Sequence, residues 1–155
     1  SQELGITMEE ARKLIDHYFN TYPGIRRYRD KTLKNARENG YVETLFKRKR
    51  RTGNLSASNK NLVKAEERAA INMPIQGTAA DLIKIAMINI HKRMNSENYK
   101  SKMILQIHDE LLFECPETEV HKFAEIVQYE METAISLSVP IKVDWKYGKN
   151  WYEAH

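Results

Sequence analysis

The residues best suited to chemistry stand together at His108-Asp109-Glu110. They interrupt an apolar stretch, with Met103-Ile104-Leu105-Gln106-Ile107 before them and Leu111-Leu112-Phe113-Glu114 after. Each flank has the length and composition of a strand. A strand interior is a poor place for three ionisable side chains, but the bend of a hairpin exposes them while both arms stay buried. A carboxylate held on such a rigid bend suits a hard cation such as Mg²⁺. Alone, so short a triplet is more often an ordinary polar turn; the rest of the chain weighs against that plainer reading.

Two further groups carry chemistry. Arg68, Asn72 and Gln76 recur every fourth position and so share one helix face, among small residues between Ala69 and Ala80 that permit close approach by another backbone. Polar donors in such a row suit the bases and sugars of a nucleic-acid groove, although a polar stripe can equally face water. The run Lys47-Arg48-Lys49-Arg50-Arg51 is dense enough in charge to call for a neutralising partner, and composition alone favours nucleic acid over a merely solvated loop. From Arg26 to Arg51 there are eleven Lys/Arg against three Asp/Glu; from Asp109 to His155 there are four Lys against ten Asp/Glu. A basic front and an acidic back suggest a polyanion partner and acidic groups that hold cations.

The elements that must position these groups follow from periodicity. Thr7-Met8-Glu9-Glu10 is a capping box, and Ala11, Leu14, Ile15, Tyr18 and Phe19 extend a helix from Met8 to about Asn20. After Tyr22-Pro23-Gly24 a second helix runs to about Glu38. Its stripe is Ile25, Tyr28, Thr32, Leu33 and Ala36, and its other face holds Arg26, Arg27, Lys31, Lys34 and Arg37. Asn39-Gly40 stops it. Tyr41–Phe46 predicts a strand, and the basic run leads into Thr52–Asn59, a small-residue loop. A helical pattern then spans about Asn61 to Asn95, roughly 50 Å if unbroken, with Pro74 expected to bend it or start a new turn. After the hairpin, Glu117-Thr118-Glu119 should open a helix whose buried face includes Val120, Phe123, Ile126, Val127 and Met131. Ile141, Val143, Trp145 and Tyr147 alternate with polar residues, predicting a last strand. Tyr18, Tyr22 and Tyr28 read as core residues before base-stacking ones. The fold class is α+β: a small antiparallel sheet packed with helices, one of them long and interrupted by proline.

The 155 residues suffice for one core, and 41% hydrophobic with 30% charged residues is a soluble globular composition. A single cysteine, Cys115, excludes an internal disulfide and a Cys-based metal site, and favours a reducing, cytoplasmic setting. No run approaches the ~20 apolar residues of a membrane helix, and Ser1-Gln2-Glu3-Leu4 lacks the marks of a signal peptide. The chain opens on Ser1 and enters a helical pattern almost at once, as a piece cut from something longer would.

Several motifs together resemble the family A DNA polymerases. The matching stretches are Ala65-Glu66-Glu67-Arg68-Ala69-Ala70-Ile71-Asn72-Met73-Pro74-Ile75-Gln76-Gly77-Thr78-Ala79-Ala80-Asp81, the hairpin from Gln106 to Leu111, and the ending Asn150-Trp151-Tyr152-Glu153-Ala154-His155. Tyr18–Gly24 and Gly40–Thr44 also fit. The resemblance covers essentially the whole chain in order and is specific, because several motifs agree in identity and separation. It implies the end of the fingers over residues 1–40 and palm over 41–155, with the catalytic hairpin at 103–114. It implies that Asp109 is one of two metal-binding aspartates, with Glu110 its acidic neighbour and His108 near the primer terminus. Arg68, Asn72 and Gln76 would contact template and primer. Primer–template DNA and deoxynucleoside triphosphates would be the partners, with no membrane. Two Mg²⁺ ions would serve phosphoryl transfer in the intact enzyme and bind weakly, if at all, to these residues alone.

The sequence also departs from the family pattern. The motif carrying the other aspartate and the helix that grips the incoming nucleotide are both missing from these residues; their expected place is before Ser1. The segment Lys47–Arg51 is more basic and less aromatic than the family leads one to expect. The reading is therefore part of a DNA-directed DNA polymerase of replication and repair, inactive in isolation. The alternative is a non-catalytic DNA-binding module on a palm scaffold; a metal-dependent hydrolase built on His108 and Asp109 lacks further clustered ligands.

Overall fold

In the computed structural model residues 5–154 are described. Ser1–Leu4, expected to carry no leader, and His155 of the matching tail lie outside them. Helices α1 (Met8–Thr21) and α2 (Pro23–Asn39) are followed by strands β1 (Tyr41–Glu43) and β2 (Lys49–Arg51). A 3₁₀ turn (Gly53–Ser56) leads into α3 (Lys60–Ser96). Then come β3 (Lys102–Ile107), β4 (Glu110–Glu114), α4 (Val120–Glu132) and a last turn, α5 (Trp151–Ala154). The chain forms two compact units, Ser1–Gly77 and Thr78–His155, and α3 contributes to each.

In the first unit the helix signals act as their chemistry requires. Thr7 N–H donates to Glu10 Oε2 at 2.8 Å while Glu10 N–H donates to Thr7 Oγ1 at 3.2 Å, closing the capping box. Pro23 begins α2, and Gly40, at φ 74°, ends it in the left-handed conformation that glycine adopts without strain. The core gathers Ala36, Val42, Leu55 and Ala70, with Leu33 and Met73 against it. Contrary to the stripe read from α1, none of its residues is buried: Leu14, Ile15 and Tyr18 stay about half exposed, as does Tyr22. Of the three tyrosines expected in the core, Tyr28 alone is substantially covered.

The region from Thr44 to Asn59 differs most from expectation. The strand ends at Glu43, and the chain turns where a longer strand was predicted. Thr44 Oγ1 accepts from the N–H groups of Phe46 and Arg48, and Lys47 adopts φ 66°. The second half of the basic run is itself a strand: Tyr41, Val42 and Glu43 pair with Arg51, Arg50 and Lys49. The loop beyond it is tied down by buried Leu55 and by Thr52, whose hydroxyl donates to the Ala36 carbonyl at 3.1 Å. Small polar residues here are satisfied by neighbouring backbone, a use that composition does not distinguish from solvation.

Helix α3 runs unbroken through Pro74. An interior proline costs a helix roughly 3 kcal/mol, through a lost N–H and a clash with the carbonyl four residues back, so packing of the helix must offset it.

In the second unit Ile83, Ala86, Ile90 and Met94 of α3 pack with Phe123 and Met131. Phe123 is 2% exposed and meets Phe113 edge to face at 5.2 Å. Burial of such a ring stabilises by about 2–3 kcal/mol, and the ring pair adds about 0.5–1.5 kcal/mol. Strands β3 and β4 are antiparallel, with a bulge at Ile104: Met103 faces Phe113, but Leu105 faces Leu112 and Gln106 faces Leu111.

Two expectations change here. Helix α4 starts at Val120, one turn later than predicted, with no acidic residue in its first turn. Glu119 instead accepts from the backbone N–H groups of Lys100 and Ser101 and from Ser101 Oγ (2.8 Å), fastening the start of β3. Desolvation works to raise the Glu119 carboxyl, but the hydrogen bonds from Ser101 and Lys100 outweigh it and hold it below the usual carboxylate value. Residues 141–147 form no strand despite their alternation. Val143 N–H donates to Glu132 Oε1 (3.0 Å) and its carbonyl accepts from Gln128 Nε2 (2.8 Å), so two side chains of α4 take the places of a partner strand.

Candidate active site

The hairpin places His108 and Asp109 as the two turn residues between β3 and β4, with Glu110 opening β4. All three are exposed. His108 adopts φ 51°, whereas Asp109 does not have positive φ. Positive φ at the first turn residue alone is the pattern of a type II′ hairpin turn, where glycine is normally preferred. An imidazole in that position costs on the order of 1 kcal/mol. Gln106 Nε2 donates to the His108 carbonyl and braces the turn from beneath. Pairing opposite Leu111 gives Gln106 that position, and the bulge at Ile104 creates the pairing. Sequence pattern had marked Gln106 as part of the hairpin but not as its brace; a bulge leaves no periodic signature.

The turn therefore offers two adjacent carboxylates on a stiff support whose lower end is packed on the aromatic core. Their oxygen chemistry fits a hard divalent cation. No group of three or more His, Cys, Asp or Glu suited to holding a metal occurs among the described residues. One or two carboxylates completed by water and substrate phosphates is how Mg²⁺ is commonly held. Burial pushes the Cys115 thiol up, against a hydrogen bond from Ser101 that lowers it.

In the first unit Arg68, Asn72 and Gln76 are exposed on successive turns of α3, one face as their spacing requires. The opposite face carries Glu66, Ala70, Met73 and Gly77 inward. Arg68 lies on the lip of a shallow groove with Arg29, Lys64 and the carboxylates Asp30 and Glu67. Two contacts hold the helix carbonyls beside the exposed polar row. Tyr28 Oη donates to the Ile71 carbonyl at 2.9 Å, and Arg48 Nη2 donates to the Gly77 carbonyl at 2.9 Å. Burial raises the Tyr28 phenol pKa, outweighing a hydrogen bond with Thr32, so it remains a donor at neutral pH. Gly77 is needed for close approach: a Cβ there would stand 2.7 Å from Thr44 Cγ2.

The basic run is largely engaged by its own surroundings. Arg50 pairs with Glu66 at 2.6 Å, where the Glu66 side chain is 8% exposed. Lys47 pairs with Glu43 at 2.7 Å, which raises its pKa. Lys49 lies 4.1 Å from the centre of the Tyr41 ring. Arg51 is exposed.

The family model for DNA polymerase family A matches residues 1–153. The chain is 47% identical over 154 residues to DNA polymerase I of Streptococcus pneumoniae serotype 4, covering 99% of this chain and 18% of that one. It is 48% identical over 153 residues to DNA polymerase I of Caldicellulosiruptor bescii, again 99% and 18%. Among solved structures, it superposes with a TM-score of 0.95 and 41% identity on the POL domain of Pol1 from M. smegmatis, in complex with DNA primer-template and dNTP. That match covers 99% of this chain and 27% of the other. The chain thus spans about a fifth of the length of the curated relatives it matches. Its α+β architecture is that of part of a polymerase palm and fingers. With a family match over nearly every residue and relatives at this identity, the chain belongs to DNA polymerase family A.

Proposed function

We propose that these residues serve as part of a DNA-directed DNA polymerase, adding deoxynucleotides to a primer 3′ end under template direction, in replication and repair and in the cytoplasm. The observation that carries this reading is the superposition over 99% of the chain on a polymerase domain complexed with primer-template and dNTP. In this reading residues 1–40 end the fingers and 41–155 belong to the palm, a functional division distinct from the packing division at Gly77.

The chemistry assigns each group a task. Asp109 is the metal-binding carboxylate and Glu110 its acidic neighbour, while His108 lies beside the primer terminus. Family A polymerases are in general metal-dependent, and two Mg²⁺ ions, when bound, supply Lewis-acid stabilisation of the attacking and leaving oxygens. The stiff turn keeps Asp109 and Glu110 in one place, which is what phosphoryl transfer asks of the protein. Arg68, Asn72 and Gln76 take the template and primer groups near the terminal pair. The basic face of α2 and the Lys47–Arg51 segment follow backbone phosphates, with Arg51 the most available of the run.

Two measurements test the proposal. Duplex DNA should bind with little sequence preference and with affinity falling steeply as salt rises, because phosphate neutralisation releases counterions; salt-independent binding would remove the nucleic-acid assignment. The 155 residues alone should not extend a primer with Mg²⁺ and four deoxynucleotides, since their clustered carboxylates come from one hairpin. Extension that Asp109→Ala abolishes would overturn that part. A complete polymerase carrying this segment that binds DNA yet extends nothing would favour the non-catalytic binding module.

A further inference from the structure

Helix α3 carries Pro74 in its interior, which offers no N–H to the Ala70 carbonyl. The polar row brackets this turn, with Asn72 two residues before the proline and Gln76 two residues after. Two tertiary hydrogen bonds to α3 carbonyls fall immediately outside the same pair: Tyr28 on Ile71, next to Asn72, and Arg48 on Gly77, next to Gln76. The donors come from different elements, α2 and the turn after β1, so they fix the helix against two supports. The second support is close, since the methyl of Thr44 lies 2.7 Å from where a Cβ on Gly77 would stand.

From this geometry we infer that Tyr28 and Arg48 are positioning residues, which set the direction in which Asn72 and Gln76 leave the helix and so their alignment with the terminal primer–template pair. The inference rests on the polymerase reading and assigns these two side chains a role that acts through Asn72 and Gln76. A helix turn lacking one of its own hydrogen bonds has freedom in pitch. Anchoring a carbonyl on each side removes that freedom without placing another group in the groove.

The test uses a complete polymerase carrying this segment, with kcat and KM measured for single-nucleotide addition on a matched primer. If the parent does not extend the primer, the polymerase reading fails first. Given activity, Tyr28→Phe and Arg48→Met should each lower kcat/KM by about threefold to tenfold, the scale of one hydrogen bond, and Arg48→Lys should restore most of the loss. The decisive arm is coupling. In an Asn72→Ala background Tyr28→Phe should cost less than about twofold, and Arg48→Met likewise in Gln76→Ala, because the group being positioned is gone. Undiminished losses in the alanine backgrounds would overturn the inference, leaving both residues as ordinary fold contacts. Tyr28→Phe removes a single oxygen, so it decides the matter if Arg48→Met fails to fold.

Discussion

The two hairpins use the same local device for opposite ends. Each bends through a non-glycine residue at positive φ, Lys47 at 66° in one and His108 at 51° in the other. Around Lys47 the charges turn inward on their neighbours: Arg50 to Glu66, Arg48 to the Gly77 carbonyl, Lys47 to Glu43. Around His108 three polar side chains are carried outward on a support braced by Gln106. The hairpin with more charge thus engages much of it with its own surroundings, and the hairpin with less holds it exposed. Charge density locates electrostatics; engagement by neighbours decides what the electrostatics are for.

The largest expected effect lies at the acidic turn. In a complete polymerase carrying this segment, Asp109→Asn should lower kcat by about a thousandfold or more, the scale for losing a group that stabilises transition-state charge. Its melting temperature should stay within about 2 °C of the parent's, because an exposed side chain is altered. A thermal melt and single-turnover kinetics check both halves; a large stability loss with intact turnover would reverse the roles given to the two hairpins.

Arg50→Met should do the opposite. Glu66 is nearly buried and would lose its charged partner, but Arg50 is itself partly exposed, so a loss of about 1–2 kcal/mol in urea unfolding is expected, with turnover changed less than about threefold. A strong kinetic defect at unchanged stability would show Arg50 working on DNA directly.

A smaller effect sharpens the account of how the acidic hairpin is fastened. The Glu119 carboxyl lies below its usual pKa in the folded state, so its contribution is present above the unfolded value and is lost as pH falls through the folded one. Glu119→Gln should lower the melting temperature near neutral pH, and the gap to the parent should close in acid, below about pH 4. A gap independent of pH would mean that the hydrogen bonds to Lys100 and Ser101 do not need the charge.

The smallest effect is expected at the turn itself. His108→Gly relieves positive φ but adds freedom to the unfolded chain, so stability should change by less than about 1 kcal/mol in either direction. Hydrogen exchange at the Asp109 and Glu110 amides would report the turn; loss of protection throughout β3 and β4 would show that the imidazole holds the hairpin closed.

Much of this was legible in the sequence where a feature is specified locally. The capping box at Thr7 and Glu10, the stop at Gly40, the long helix and the hairpin about His108-Asp109 each follow from a few adjacent residues whose chemistry admits few alternatives. The outward row of Arg68, Asn72 and Gln76 followed from spacing alone. What escaped depended on partners far along the chain. Alternation from Ile141 to Tyr147 specifies faces, not whether a strand lies alongside, and the Val143 backbone is satisfied by Gln128 and Glu132 instead. Nothing in the basic run announces that Glu66 and the Gly77 carbonyl will meet it. Glu119 has the position of a helix opener and reaches the other way. Within the candidate site, residue types marked the exposed groups proposed to meet a ligand, while Tyr28, Arg48 and Gln106 became visible through geometry.

The bulge at Ile104 has a consequence for how the site can change. Residues opposite each other across the ladder share a face, so Met103 at the base and Gln106 near the tip lie on the same side although they are three apart. The strand is in effect written in two reading frames, joined at residue 104. The lower frame is packed against the aromatic core, and the upper one carries the turn. Pairing Ile104 with Leu112 in a regular ladder would set Leu105 opposite Leu111, under the turn where Gln106 now braces it; with Ile104 left out of the ladder, Leu105 faces Leu112 and Gln106 takes that place. The brace under the acidic turn thus depends on one residue staying out of the ladder, and a shift that paired Ile104 would replace an amide donor there by an apolar side chain.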